Sequence, residues 1–427
     1  MGFHEFSSPY DWSRIAAYKR TAKAAFGGMI DLSVGSPVDP VPDSVRKALA
    51  VAANDPNAYG YPATAGTADL RAAIAEWFSA TRNVDLQAIH ADVVPTVGSK
   101  EGVALMASLL HFGEDDVVVQ PKVSYPTYEI GTQLAGAQVL KVDDVADVAS
   151  WRNVPGVKAV WVNSPCNPTG EVYSAERMAG IVAAAREIGA VVLSDECYAL
   201  MQWRGAVNGA DDDPLQSTPC ALRSDVCLGS AEGVLVLYSL SKQSNMAGYR
   251  TAFIAGDESL IASMSAYRKQ IGQIIPGPVQ AAMAAGLRDL EAVKVQHARY
   301  RERLGVLVGA LRAYGYCTDM PDGALYVWVR AKSGDCWTDM EQLAKIGIIA
   351  SPGEFYGAPE CLRFSATASD EAIASAAERW RAKPICKRLP AIAGSPLSAE
   401  SEGVQRPCVL WLCAAVDVAD GKVNGVG

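Results

Sequence analysis

The amino-acid sequence predicts an α/β fold: a three-layer, mainly parallel sheet covered by helices, with a smaller α+β domain beside it. Three observations predict it. Between residues 92 and 256, short apolar runs alternate with stretches that are apolar at helical spacing. Near residue 289 that texture gives way to a long charged helical segment and then to isolated strands. Unusual polar residues stand at the ends of several apolar runs, where sheets of this kind place their ligands.

The apolar runs are 116–120 (DVVVQ), 157–162 (VKAVWV), 190–194 (AVVLS), 234–238 (VLVLY) and 252–255 (AFIA). They are short, rich in valine and without regular polar alternation, as expected of strands buried on both faces. Segments such as 175–188 supply the helical crossovers, so a large domain is expected over residues 43–288. Beyond it, 290–314 reads as a long charged helix leading to strands at 325–329 and 361–366. With the stretch before residue 43 these make a small domain, residues 10–42 plus 289–383. The segment 32–42 holds Gly35 and three prolines, and reads as a loop crossing between the two domains. After Lys383 the pattern decays, with Pro384, Pro390, Pro396 and Pro407 spaced through it, so residues 384–427 are expected to form a flexible extension. Its apolar patch at 409–416 has no assigned role.

Half of the 427 residues are hydrophobic and a fifth are charged, which fits a compact globule. A net charge of -9 argues against nucleic acid or an anionic membrane as partner. The start, MGFHEFSSPYDWSR, lacks a basic region followed by an apolar one, and no apolar window reaches membrane-spanning length, so a cytoplasmic compartment is expected. The ten cysteines include no C-x-x-C pair and are expected to be reduced and buried. The four histidines cluster with no metal ligand or nucleophilic serine, so no metal is expected and most read as surface or cap residues.

Four strand ends carry the chemistry. The 157–162 run leads into Asn163-Ser-Pro-Cys-Asn167-Pro-Thr-Gly170, and 190–194 into Asp195-Glu-Cys-Tyr198. The 234–238 run leads into Ser239-Leu-Ser241-Lys242 and on to Arg250, while Gly98-Ser99-Lys100 precedes a helical stripe at 103–110. Each has a bland alternative: a turn for N-P-T-G, a helix cap for Asp195, a solvated loop for S-L-S-K. Together, in this order and each at the lip of the sheet, they are not a chance set.

With these motifs the chain resembles a fold-type I pyridoxal-phosphate (PLP) aminotransferase of the class I/II group, over about residues 10–383. More narrowly, the segments DLSVGSPVDPVP (31–42), YPTYEIGTQLAGA (125–137) and SLSKQSNMAGYR (239–250) resemble actinobacterial succinyldiaminopimelate aminotransferases. The resemblance implies the PLP-dependent transferase fold and PLP itself, bound to Lys242 as a Schiff base. Lys242 then serves as the general base. Asp195 is placed against the pyridine nitrogen, because a protonated ring is the electron sink. Asn167 and Tyr198 match the pair that hydrogen-bonds the phenolate oxygen, and Tyr125 the aromatic that stacks on the ring, with an ordinary strand-turn tyrosine as its alternative.

A phosphate needs donors. Ser99 is expected to cap the following helix, whose free N–H groups with Gly98 and Lys100 face the dianion. Ser239, Ser241 and Arg250 complete the cradle, and Tyr61 matches a family tyrosine that reaches the phosphate of the neighbouring subunit, which implies a homodimer. Arg363, inside a strand, needs an anionic partner. The resemblance makes that partner the substrate α-carboxylate, assisted by Gly35 and Asn167. The alternative is a structural salt bridge.

The expected reaction transfers an amino group from N-succinyl-L,L-2,6-diaminopimelate to 2-oxoglutarate, in lysine biosynthesis. Alternatives are transamination of aspartate, alanine or aromatic amino acids, or PLP-dependent carbon-sulfur cleavage, since fold alone does not fix reaction. The distal carboxylate of the succinylated donor needs a further cation, for which Arg14, Lys122 and Arg268 are candidates.

Overall fold

The structure, a computed structural model, describes residues 11, 13–203, 215 and 218–382. The C-terminal extension and its apolar patch lie outside the described residues. In chain order the strands are β1 (Ile30–Asp31), β2 (Ala91–Val97), β3 (Val117–Pro121), β4 (Gln138–Val142), β5 (Val157–Asn163) and β6 (Val191–Asp195). They continue with β7 (Val234–Ser239), β8 (Thr251–Asp257), β9 (Tyr326–Arg330), β10 (Ile348–Ile349), β11 (Ser351–Pro352) and β12 (Cys361–Ser365).

A seven-stranded sheet has the order β2-β8-β7-β6-β5-β3-β4 and is parallel except for β8, which runs antiparallel to both neighbours. Successive side chains point to opposite faces. In β7, Val234, Val236 and Tyr238 join one core, while Leu235 and Leu237 join the core on the other face. The Ala175–Glu187 helix covers the first face with Met178, Ile181 and Ala185, and the Ser99–Leu109 helix covers the second with Val103, Met106 and Leu109. This double burial is why the five runs lack polar alternation. Truncating one such side chain, Leu237→Ala for example, should cost about 2–5 kcal/mol. Two strands of this sheet were not among the runs read from the sequence. β2 contains Pro95 and β4 alternates only weakly at the sheet edge.

A third core joins Ile15 and Leu32 to Tyr300, Leu304, Tyr326, Phe364 and Trp380. Its scaffold is the Leu290–Ala313 helix, capped by Asp289 accepting from the Ala292 N–H at 3.1 Å, and the small sheet β11-β12-β9. β1 pairs with β10, so the chain before residue 43 contributes to this core. No helix among the described residues is long and apolar enough to cross a membrane.

His90 and His111 are exposed, as expected of most histidines, while His297 is buried, hydrogen-bonded to the Gln202 carbonyl at 3.1 Å and packed on Trp203. One expectation needs correction here. Of the cysteines, Cys317 is exposed and Cys361 half-buried, because Cys317 follows the end of the long helix and Cys361 is the first residue of β12.

Candidate active site

Strand register brings the motifs to one edge. Because β8 is antiparallel, its start lies beside the ends of its neighbours: Val97 faces Thr251 and Ser239 faces Ala252. Gly98–Lys100, Ser239–Lys242 and Arg250 therefore converge. In the same way Asn163 pairs with Asp195, and Asp195 with Leu237. A cavity of about 660 Å³ opens above this edge.

At one end of the cavity the Ser99–Leu109 helix begins. Ser99 is its first residue and not its cap, as the sequence suggested; Gly98 takes the cap position at φ 77° with no side-chain cap bond. The cause is crowding. A Cβ on Gly98 would run into the Arg250 guanidinium, and L-residues disfavour that φ. Arg250 Nη1 donates to the Ala247 carbonyl at 2.8 Å, and no carboxylate pairs with it among the described residues. The Ser239 hydroxyl bonds that of Ser241 at 2.8 Å. Helix N–H groups, two hydroxyls and a guanidinium without a counter-ion form an anion site.

Asp195 stands at the floor. Its carboxylate accepts from the Tyr128 hydroxyl at 2.8 Å and from the Cys197 N–H at 3.2 Å. Burial raises its proton affinity above the ordinary carboxylate value; the Tyr128 and Cys197 bonds oppose this, and the adjacent Glu196 adds to it. Asn163 Nδ2 donates to the Asp195 carbonyl at 2.8 Å, and its Oδ1 accepts from the Asn167 N–H at 2.8 Å, so one side chain fixes two motifs. Behind the floor, Glu196 is buried against Arg82 at 2.5 Å.

Lys242 Nζ donates to the Gly35 carbonyl, so the crossing loop reaches the Lys242 amine. Arg363 is buried. Its Nη1 donates to Asn167 Oδ1 at 2.7 Å and its Nη2 to the Ser33 carbonyl at 2.8 Å, while Nε has no partner. Its guanidinium lies over the rings of Tyr326 and Tyr356, at 3.9 Å and 4.7 Å from their centroids. No carboxylate pairs with it among the described residues, which sets aside the structural salt bridge.

Gly35, Ser99, Lys100, Tyr125, Asn167, Asp195, Tyr198, Ser239, Ser241, Lys242, Arg250 and Arg363 all line the cavity. Gly98 backs it through Arg250. Tyr61 does not line it and is fully exposed. The three distal cations are corrected outright. Arg268 is buried against Glu101 at 2.7 Å, Lys122 pairs with Asp143 at 2.8 Å, and Arg14 with Glu354 at 3.2 Å, all outside the cavity lining. Lys19 lines the cavity instead, paired with Asp31 at 2.8 Å. Sequence reasoning also missed Tyr128, Tyr326 and Tyr356. Tyr128 stands three residues after Tyr125, in the first turn of a helix, a position that could have flagged it.

Residues 27–379 match the family model described as aminotransferase class I and II. The chain belongs to that family. The aminotransferase is 40% identical over 372 residues to 4-dedimethylamino-4-oxo-anhydrotetracycline transaminase of Streptomyces rimosus, covering 87% of this chain and 98% of that one. It is 29% identical over 390 residues to LL-diaminopimelate aminotransferase of Syntrophobacter fumaroxidans, covering 87% and 96%. Among solved structures it is similar to the probable N-succinyldiaminopimelate aminotransferase of Thermus thermophilus. That match has a TM-score of 0.76 at 27% identity and covers 87% of this chain and 99% of the other.

PLP is the cofactor of this family, and the site fits it. A buried carboxylate with no ion-pair partner among the described residues suits a pyridinium nitrogen, and the crowded Gly98–Arg250 corner suits a phosphate. When bound, PLP supplies an electron sink for the carbanion formed at the donor's Cα.

Proposed function

We propose that this aminotransferase moves an amino group from N-succinyl-L,L-2,6-diaminopimelate to 2-oxoglutarate, a step of lysine biosynthesis, as a cytoplasmic homodimer. In this reading Lys242 holds the cofactor, then carries a proton away from the donor's Cα. Asp195 faces the ring nitrogen. Tyr198 donates to the phenolate oxygen, and so does Asn167 Nδ2, since Asn167 Oδ1 is already taken by Arg363. Ser99, Ser239, Ser241 and Arg250 hold the phosphate, Tyr125 covers the ring, and Arg363 with Gly35 receives the α-carboxylate of donor and acceptor in turn. The exposed Tyr61 reaches the partner's phosphate, and residues 43–288 act as the large domain against a small one of 10–42 plus 289–383.

The observation that carries the substrate class is a second cation. Lys100 lines the same cavity as Arg363 and pairs with no carboxylate among the described residues, whereas Lys19 is already paired. 2-Oxoglutarate carries one carboxylate beyond the α-carboxylate and the succinylated donor two, and Lys100 is available for one of them. Similarity to diaminopimelate and N-succinyldiaminopimelate aminotransferases supports the same reading.

A second reading has support from the 40% identity to a transaminase named for an oxo-anhydrotetracycline, which favours a ketone on a polycyclic acceptor. Donor specificity tests the first reading. With donor alone, loss of the cofactor's visible absorbance identifies competent donors and distinguishes transamination from carbon-sulfur cleavage. Comparing kcat/KM for the succinylated donor with aspartate, alanine, aromatic amino acids and unacylated diaminopimelate then ranks them. If a simple amino acid matches the succinylated donor, the substrate proposal is wrong.

A further inference from the structure

The hydroxyl oxygens of Tyr198 and Tyr326 are 2.7 Å apart, both buried. A phenol has one proton to donate. If Tyr198 gives its proton to the cofactor's phenolate oxygen, then in the bond between the two tyrosines Tyr326 must be the donor. Tyr326 is also locked in place from two other sides. Its ring carries the Arg363 guanidinium at 3.9 Å, and its hydroxyl presses on Gly35, where a Cβ would collide with it.

We infer that Tyr326 is a positioning residue that connects Arg363 to the cofactor's phenolate oxygen through the Tyr198 hydroxyl. The inference rests on the roles proposed above for Tyr198 and Arg363.

The surroundings tune the strength of the bond. Charged groups face Tyr326 from two elements: Lys242 beyond β7 and Arg363 on β12. Cys197 and Tyr198 face it from beyond β6, and Tyr125, Tyr300 and Tyr356 also surround it; burial raises all five well away from ionisation. Burial opposes ionisation of Tyr326, and the Lys242 and Arg363 charges favour it. With Lys242 taken up by the cofactor, the Arg363 guanidinium stacked on the Tyr326 ring is the charge that strengthens the Tyr326 hydroxyl as a donor to Tyr198. A carboxylate arriving on Arg363 cancels that charge and weakens the donor. The phenolate oxygen thereby senses that the carboxylate site is filled. Asn167, bonded to Arg363 at 2.7 Å, offers a parallel route, so the Tyr326 path carries part of the effect.

The test uses the holoenzyme and reads the pH inflection of the bound cofactor's visible absorbance, with and without saturating succinate, a dicarboxylate that has no amine to react. The low-pH form holds a proton beside the phenolate oxygen, so losing a donor to that oxygen moves the inflection upward. Tyr326→Phe is expected to raise it by about 0.5–1 pH unit, the size of one hydrogen bond. It should also shrink, without abolishing, the upward shift that succinate causes. Adding Tyr326→Phe to Tyr198→Phe should move the inflection no further, because the path runs through Tyr198. A Tyr326→Phe enzyme that titrates like the wild type, or an effect fully additive with Tyr198→Phe, overturns the inference. If Tyr198→Phe alone leaves the inflection unmoved, the role assigned to Tyr198 has failed, which is a separate result. Should the phenylalanine variant not hold the cofactor, fluorotyrosine at position 326, a stronger donor, should move the inflection down; no movement again overturns the inference.

Discussion

Arg363 donates to the side-chain oxygen of Asn167 at 2.7 Å, joining a strand of the small sheet to the N-P-T-G turn at the end of β5. The bond crosses 196 residues of sequence and leaves the Asn167 amide group facing the cavity as a donor. The remaining Arg363 bond, to the Ser33 carbonyl, brings the crossing loop into the same unit. Three separate segments are thus held by one planar guanidinium.

Replacing that guanidinium with an ammonium removes the fork. Arg363→Lys should lower kcat/KM for both the donor and the oxo acid about 10–100-fold, mainly through KM, with a normal cofactor spectrum. Steady-state kinetics on both half-reactions provide the check. A loss confined to one substrate would mean that Arg363 does not serve both in turn.

Lys242→Ala should fold and still bind PLP, but without a covalent link. Borohydride reduction of the wild type followed by peptide mapping should label Lys242, and the variant should carry no label. Labelling of Lys100 instead would show that the wrong lysine has been chosen.

Asp195 gives a pH prediction for the cofactor-free protein. Its folded proton affinity is raised above the unfolded carboxylate value, so between those two values the folded state holds more protons. The stability contributed by this group therefore falls as pH rises through that window, and the full cost is present above it. Asp195→Asn should flatten this part of the stability-versus-pH curve in apo unfolding experiments. The same variant with PLP should transaminate on the order of 100-fold more slowly, having lost the partner of the ring nitrogen.

The buried Arg82–Glu196 pair makes a stability prediction. Removing either partner alone, Arg82→Met or Glu196→Gln, leaves the other group buried without its match and should cost about 3–5 kcal/mol. The double variant Arg82→Met with Glu196→Met should recover most of that loss. Denaturant midpoints at fixed protein concentration test it, and a double variant as weak as the worse single one would refute the account.

Tyr61 tests the assembly. Mixing Tyr61→Phe with Lys242→Ala protein should restore some activity through hybrid dimers, because one site of such a dimer carries neither change. A fully active monomer by sedimentation would exclude this arrangement.

The sheet was legible because both of its faces are buried, which leaves unbroken valine-rich runs. The cavity-lining polar residues were legible because strand ends are short, and polar residues there have few other reasons to exist. Tyr326 and Tyr128 were not, since an aromatic in a strand or helix is usually core, and only tertiary contact turns it toward a site. The distal cations failed for the opposite reason. Arg268 and Lys122 looked free in sequence, but Glu101 and Asp143, remote or unremarkable in the chain, neutralise them in the fold. Tyr61 is exposed in the single chain, where its own cavity gives it nothing to touch.

The crowding at Gly98 has a consequence for how this site can be altered. Position 98 is closed to every side chain, since even a methyl group would displace Arg250, and its φ of 77° adds strain for any L-residue. Two positions on, Lys100 opens into the cavity with no carboxylate partner among the described residues. In a mutant library spanning this turn, functional clones should therefore be uniform at 98 and varied at 100. The turn would combine an immutable anchor with an adjustable reading head, and new donor preferences could be selected there without loosening the grip on the cofactor.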